Sequence, residues 1–304
     1  MIDLKRINFV KPVKNCSYIT LALTILFPAT FSHGADVSEL VIPGGVSTAQ
    51  DSDALYQEGL RLLAEKGATA DHIKARASFE AAANLGNPKA KGALGFMFLQ
   101  GLGGIKDEVV ALPLIREGAE AGVASAQVNL ASMLVKGQGG GRDIAAAISW
   151  YEKAAAQDSL DAHLRLADFH YFGSDGVVKD YQKALPHVKA AATAGSPLAQ
   201  NLLGTMFEFG HGVDVSLSDA KYWFREAAVL GNAKAQSNLG RLIRAGDPHG
   251  RDIVAVYQWL KLSADQGETT AAVMLADIEP SLTEGQKSEA VERIREFHKM
   301  RSIK

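Results

Sequence analysis

Residues 199–231 read AQNLLGTMFEFGHGVDVSLSDAKYWFREAAVLG, and the fold is decided there. Ala199, Leu203, Gly204 and Phe207 recur at helical spacing, so they share one stripe. Gly210 and Gly212 then stop the helix, because glycine tolerates positive φ. Val213 follows the turn, and a second stripe of Ala220, Trp223, Phe224, Ala227 and Ala228 runs to a closing Gly231. The third copy repeats the scheme with Ala126, Leu130, Ala131 and Leu134, a turn at Gly137–Gly141, and Asp143 where an N-cap belongs. Its second stripe is Ala147, Trp150, Tyr151, Ala154 and Ala155. The fourth copy reads Ala162, Leu166, Ala167, Gly173, Gly176, Val177, Asp180, Ala184, Ala191, Ala192 and Gly195.

Aligned on the closing residue, six copies end at Gly86, Gly122, Asp158, Gly195, Gly231 and Gly267, with spacings of 36, 36, 37, 36 and 36. A fixed period between roughly 20 and 50 residues marks a solenoid, whose units bury their apolar faces only by stacking on neighbours. One stripe position is always small: Gly95, Ala131, Ala167, Gly204, Gly240 and Ala276. A small residue there lets a neighbouring helix approach closely.

These residues resemble the Sel-one-like repeat family, a cousin of the tetratricopeptide repeats, whose pattern is roughly A-x3-L-G-x2-Y-x2-G-x-G-V-x2-D-x3-A-x2-W-Y-x2-A-A-x2-G. The resemblance covers about residues 53–300. It implies an all-α fold, a right-handed superhelical solenoid of six to seven antiparallel helix-turn-helix repeats plus a C-terminal capping helix. The repeats fall at about 53–87, 88–123, 124–159, 160–196, 197–232 and 233–268, with a partial unit at 269–280 and a cap at 281–300. Some positions depart from the pattern. His170 takes the tyrosine position of the fourth copy, Ser216 replaces the aspartate of the fifth, and Asp247–Pro248–His249 stands where the sixth turn belongs. The first copy, from Asp53 to Gly86, keeps Ala54, Gly59 and Leu62 but has a shorter turn, as a terminal unit would.

The two ends differ from the cadence. Lys5, Arg6, Lys11 and Lys14 precede an uncharged run, Ile19–Phe31, and then Ser32, His33, Gly34 and Ala35. This reads as a secretory signal peptide, residues 1–35, cleaved near Gly34 or Ala35. The run is shorter than the ~20 residues that span a bilayer, so no stable membrane span is expected after cleavage. Residues 36–52, with Pro43, Gly44 and Gly45, read as a flexible leader. At the far end Thr270–Ile278 (with Ala271, Leu275 and Ala276) resembles the first helix of a seventh unit, and Glu279–Pro280 breaks it. Thr283 and Gln286 have capping-box spacing for a last helix. That helix turns Ala290, Ile294 and Phe297 inward and charged residues outward, as a terminal cap requires.

Composition supports export. The single cysteine, Cys16, leaves with the signal, so the mature chain has neither disulfide nor thiol chemistry. A bacterial periplasm, or secretion, is the expected location. Without residues 1–35 the chain keeps 28 basic against 33 acidic residues, a net charge of −5. A nucleic-acid binder should show a strong basic excess instead.

Catalytic motifs are absent. There is no H-E-x-x-H, no paired-cysteine metal spacing and no G-x-S-x-G elbow. The run Gly137–Gly141 lacks the Lys-Ser/Thr of a phosphate loop. His163 and His170 are seven apart, two turns of helix, unlike the i, i+4 pair that chelates zinc. Trp150, Trp223 and Trp259 recur at one repeat position and read as core residues. No cofactor is expected.

In the resembling family the first helix of each pair lines the concave face. With the pattern positions removed, residues three, six and nine after each opening alanine form one stripe. They are Phe96 and Leu99; Asn129, Ser132 and Val135; Arg165, Asp168 and Tyr171; Leu202, Thr205 and Glu208; and Asn238, Arg241 and Arg244. They differ in every repeat and run from apolar to basic. That gradient suits a protein or extended peptide segment with an acidic end. The resemblance implies an exported, non-enzymatic adaptor that mediates protein–protein interactions in the envelope. It leaves open an envelope enzyme or ligand-binder acting on cell-wall material or β-lactams. The S-x-x-K nucleophile motif is missing, since Gln266 follows Ser263 and Ala81 follows Ser78 at the lysine spacing.

Overall fold

The computed structural model describes residues 49–64, 69–246 and 252–302. The expected signal segment, residues 36–48 of the leader and the Asp247–Pro248–His249 turn lie outside the described residues. The chain divides into two units, 1–44 and 45–304, and every described helix belongs to the second.

Among the described residues there are fourteen α-helices and no strand. They are α1 (Ala49–Ala64), α2 (Thr69–Asn84), α3 (Pro88–Gln100), α4 (Glu108–Glu120), α5 (Ala124–Lys136), α6 (Ile144–Ala155), α7 (Leu160–Phe172) and α8 (Tyr181–Thr193), then α9 (Pro197–Phe209), α10 (Leu217–Val229), α11 (Ala233–Gly246), α12 (Ile253–Ala264), α13 (Thr269–Ile278) and α14 (Glu284–Ser302). Each helix packs chiefly on its neighbours in the chain, and α14 packs on α12. The architecture is an all-α solenoid of repeats. One expectation is corrected at the start. The flexible leader was placed at 36–52, yet Ala49–Ser52 already form the first turn of α1. The Asn87 side-chain amide donates to Asp53, the next residue of that helix, at 2.9 Å.

The caps follow from the sequence. Asp107, Asp143 and Asp180 open second helices, their carboxylates accepting backbone N–H bonds at 2.9–3.0 Å. Ser216, in the same slot, accepts from Asp219 N at 3.3 Å, so the serine keeps the cap. Each second helix ends in a left-handed residue: Gly86, Gly122, Gly195, Gly231 and Gly267 have φ of 84–88°. Asp158 fills that position in the third copy with φ of 58°, a conformation aspartate tolerates better than most residues. The end of the array shows the expected capping box: Gln286 Oε1 accepts from Thr283 N at 2.9 Å, and Thr283 Oγ1 accepts from Gln286 N at 3.3 Å.

The core is a series of knobs and notches. Phe79, Ile115, Tyr151, Val188, Phe224 and Leu260 occupy one position of successive second helices, and all are buried. Each faces the small residue of its own first helix. A Cβ placed on Gly59 would lie 2.6 Å from the Phe79 ring, and one on Gly204 would lie 2.7 Å from Phe224. The notch therefore stays small because the knob already fills the space.

The three tryptophans differ from expectation. Trp259 is buried, edge-on to Phe297 of α14 at 5.7 Å between ring centroids. Trp150 and Trp223 are only partly buried. The residue before the knob sits about 100° around the helix, at the margin of the buried stripe. The Lys153 ammonium covers the Trp150 ring at 3.6 Å instead, a cation–π contact. Among the described residues α12 has a further helix, α14, packed on it at that margin.

Candidate functional site

Six of the repeat-variable residues meet at one open cleft of about 470 Å³. Tyr171 comes from α7, Leu202, Thr205 and Glu208 from α9, and Asn238 and Arg241 from α11. The stripe spacing places them on facing sides of three successive first helices. The remaining expected residues lie elsewhere. Leu99 is buried in the core between α3, α4 and α5. Phe96, Asn129, Ser132 and Asp168 are partly buried, and Arg165 is exposed. Ser132 and Arg165 stand beside the Tyr151 phenol, where both oppose the upward push that burial gives it.

The basic far end is corrected. Arg241 and Arg244 are not free cations. Arg241 donates to Glu208 at 2.7 Å, and the Glu208 side chain is only 8% exposed. Arg244 donates to Asp277 of α13 at 2.7 Å. Each arginine thus reaches an acid one repeat away, a partner that lies outside the single-helix stripe. Lys234 and Glu268 at the cleft margin add one charge of each sign.

The cleft's apolar side is aromatic. Phe172 and Phe209 line it, and both are more than half exposed. Behind them the Tyr181 and His211 rings stack at 4.3 Å with a 7° interplanar angle. Burial, aided by Tyr181, pushes the Tyr171 phenol up to about 12, and its hydroxyl shares a hydrogen bond with His211 Nδ1 at 2.9 Å. Asn201, also lining the cleft, accepts from Asn238 at 3.1 Å. The stripe missed Phe172, Phe209 and Asn201. A usable signal existed for two of them, since Phe172 and Phe209 each immediately precede a helix-ending glycine.

A second cavity of about 490 Å³ is lined by residues including Glu152, His170, Asp180 and Lys183. The buried Nδ1 of His170 has no hydrogen-bond partner among the described residues. Burial, then Lys183, holds this imidazole below its usual value. His163 does not pair with His170; it faces His187 of α8 instead. The two serines weighed as nucleophiles, Ser78 and Ser263, are fully buried, and Ser263 donates to the Ala233 carbonyl at 2.7 Å. Among the described residues no group of three His, Cys, Asp or Glu side chains could hold a metal ion, and no helix is long and apolar enough to cross a membrane.

The Sel1 repeat model matches six times without a gap, at residues 52–87, 88–123, 124–159, 160–196, 197–232 and 233–268. The chain belongs to the Sel1 repeat family. Its structure resembles that of a protective antigen of uropathogenic Escherichia coli strains displaying an SLR fold, with a TM-score of 0.70 and 28% identity over 80% of this chain and 54% of that one. It also resembles a Sel1 repeat protein from Oxalobacter formigenes, with a TM-score of 0.64 and 26% identity over 81% of this chain and 96% of that one. Seventy residues are 36% identical to chitin synthase regulatory factor 4 of Schizosaccharomyces pombe, 23% of this chain and 10% of that protein. The chain therefore spans only a small part of that relative and about half of the E. coli antigen. Sel1 repeat proteins are generally protein–protein interaction scaffolds and typically non-enzymatic.

Proposed function

We propose that the chain is an exported adaptor that holds a partner protein in the cleft between α7, α9 and α11. The observation that carries this reading is the convergence there of six repeat-variable residues beside two exposed phenylalanines. An exposed aromatic wall next to oriented amides suits an extended partner segment. A large apolar side chain of the partner packs on Phe172 and Phe209, and its backbone bonds to Asn201 and Asn238. The Glu208–Arg241 pair balances its own charge, so apolar anchoring outweighs attraction to an acidic segment. Arg165 keeps a free charge outside the cleft for the partner's flank.

A photo-crosslinking residue at Thr205, introduced in living cells, should capture a defined envelope protein. Replacing Phe172 and Phe209 together with serine should weaken that complex on the order of 10- to 100-fold while leaving the thermal midpoint nearly unchanged. Capture only from outward positions such as Arg225 on α10 would move the binding surface to the second helices.

Export rests on the basic and apolar pattern of residues 5–35. Mature protein should begin near Ala35 or Asp36 and fractionate with the envelope. Full-length protein starting at Met1 in the cytoplasm would refute this part of the reading.

A further inference from the structure

The fourth repeat carries histidine at two positions where the third, fifth and sixth carry glutamine and tryptophan and the second carries Lys91 and Leu114. The residue after the opening alanine is Gln127, Gln200 and Gln236 in the third, fifth and sixth copies. Each glutamine Nε2 donates to the carbonyl eight residues upstream, at 3.2 Å to Ala119, 3.2 Å to Ala192 and 3.1 Å to Ala228. These bonds satisfy carbonyls at the ends of the preceding helices. The fourth copy has His163 in this slot, and the Ala155 carbonyl, again eight residues upstream, favours an N–H on its ring. The residue before the knob is Trp150, Trp223 and Trp259 in the same three copies, and His187 in the fourth.

The two histidines face each other across α7 and α8. Their Nδ1 atoms are 3.1 Å apart, and their rings are 5.3 Å apart at 41°. Without a ligand, one imidazole donates its single Nδ1 proton to the other. The same spacing suits two ligands of one ion. With Zn–N distances of about 2.0–2.1 Å and a near-tetrahedral angle, two ligand nitrogens stand about 3.3 Å apart. Ligating imidazoles must be neutral. Burial lowers both rings, and His187 falls to about 4, with His163 and His170 as further causes. A backbone carbonyl beside the first ring is a familiar outer-shell partner of a metal-bound histidine.

We propose that His163 and His187 form a two-histidine site for a late divalent transition metal, zinc in the first instance, with water completing its coordination. No third side chain among the described residues joins them. Binding is therefore reversible and locks α7 to α8 rather than driving folding. It sits one repeat-half from the cleft, since α7 also carries Tyr171 and Phe172.

The repeat itself supplies the control substitutions. His163→Gln restores the glutamine latch, and His187→Trp restores the tryptophan. Calorimetry with zinc chloride on the full chain should show one equivalent bound, and about 100 μM zinc should raise the thermal midpoint by about 2–4 °C. Either substitution should weaken uptake at least about tenfold. No uptake by the wild type, or undiminished uptake in both variants, would overturn the site. Should a variant fold poorly, imidazole nitrogen spectra of the wild type decide the matter. Zinc must shift the His163 and His187 resonances; shifts confined to other histidines count against the proposal.

Discussion

Phe224→Ala should destabilise the fifth repeat by about 3–5 kcal/mol, the cost of truncating a fully buried phenylalanine to leave a cavity. The residue is a knob: its ring fills the space over Gly204, and it belongs to the cluster that also holds Leu239 and Leu260. Gly204 offers no side chain to fill the void. The neighbouring Trp223→Ala should cost less, about 1–2 kcal/mol, because that ring is only partly buried. The larger side chain therefore gives the smaller effect, the reverse of what residue size suggests. Hydrogen exchange should show protection falling around α9, α10 and α11 and holding in α1–α4, since repeats couple to nearest neighbours. Equal losses for the two variants, or protection lost evenly along the array, would contradict the packing described.

The period, the caps and the notches were legible because each is local. A helix stop needs a glycine or a tolerant aspartate, an N-cap needs an oxygen acceptor, and a knob needs a small residue about twenty positions earlier. These demands write themselves into the chain at fixed offsets. The margin of a buried stripe is different. Trp150, Trp223 and Trp259 share one offset, yet only Trp259 is buried, because burial there depends on α14 closing over α12. No spacing within a repeat encodes that closure.

The candidate site was legible as a set of positions and illegible as chemistry. The stripe three, six and nine residues after the alanine brought Tyr171, Leu202, Thr205, Glu208, Asn238 and Arg241 to one cleft. Their charge could not be read helix by helix. Glu208 and Arg241 are 33 residues apart and cancel across two repeats, as do Arg244 and Asp277. Leu99 and Tyr171 share one stripe position and both are buried, yet only Tyr171 reaches the cleft. The His163–His187 contact was hidden similarly, since each histidine had to be compared with its counterparts in other repeats before the pair stood out.

Gly95→Val should cost about 3 kcal/mol or more, and it tests whether the notches are set by packing or by helix propensity. Propensity alone favours leaving glycine, which is worse than alanine by roughly 0.5–1 kcal/mol inside a helix. Packing opposes any side chain. A Cβ on Gly95 would lie 2.6 Å from Ile115 Cγ1, 2.9 Å from Ile115 N and 3.0 Å from Ala111 O. Two of these are backbone atoms of α4, which cannot step aside unless the helix moves. At Gly204 the three nearest atoms all belong to the ring of the buried Phe224, a side chain rather than backbone. The third repeat shows the outcome, with Ala131 and Tyr151 both buried in one cluster. Gly204→Ala should therefore destabilise as well, but less than Gly95→Val. Thermal melts of the two variants beside the wild type decide between the accounts, and wild-type stability in Gly95→Val would remove the packing explanation. The damage should also stay local. The second repeat and its neighbours should lose protection, while the cleft between α7, α9 and α11, with two whole helices between it and α4, should keep its affinity for a captured partner.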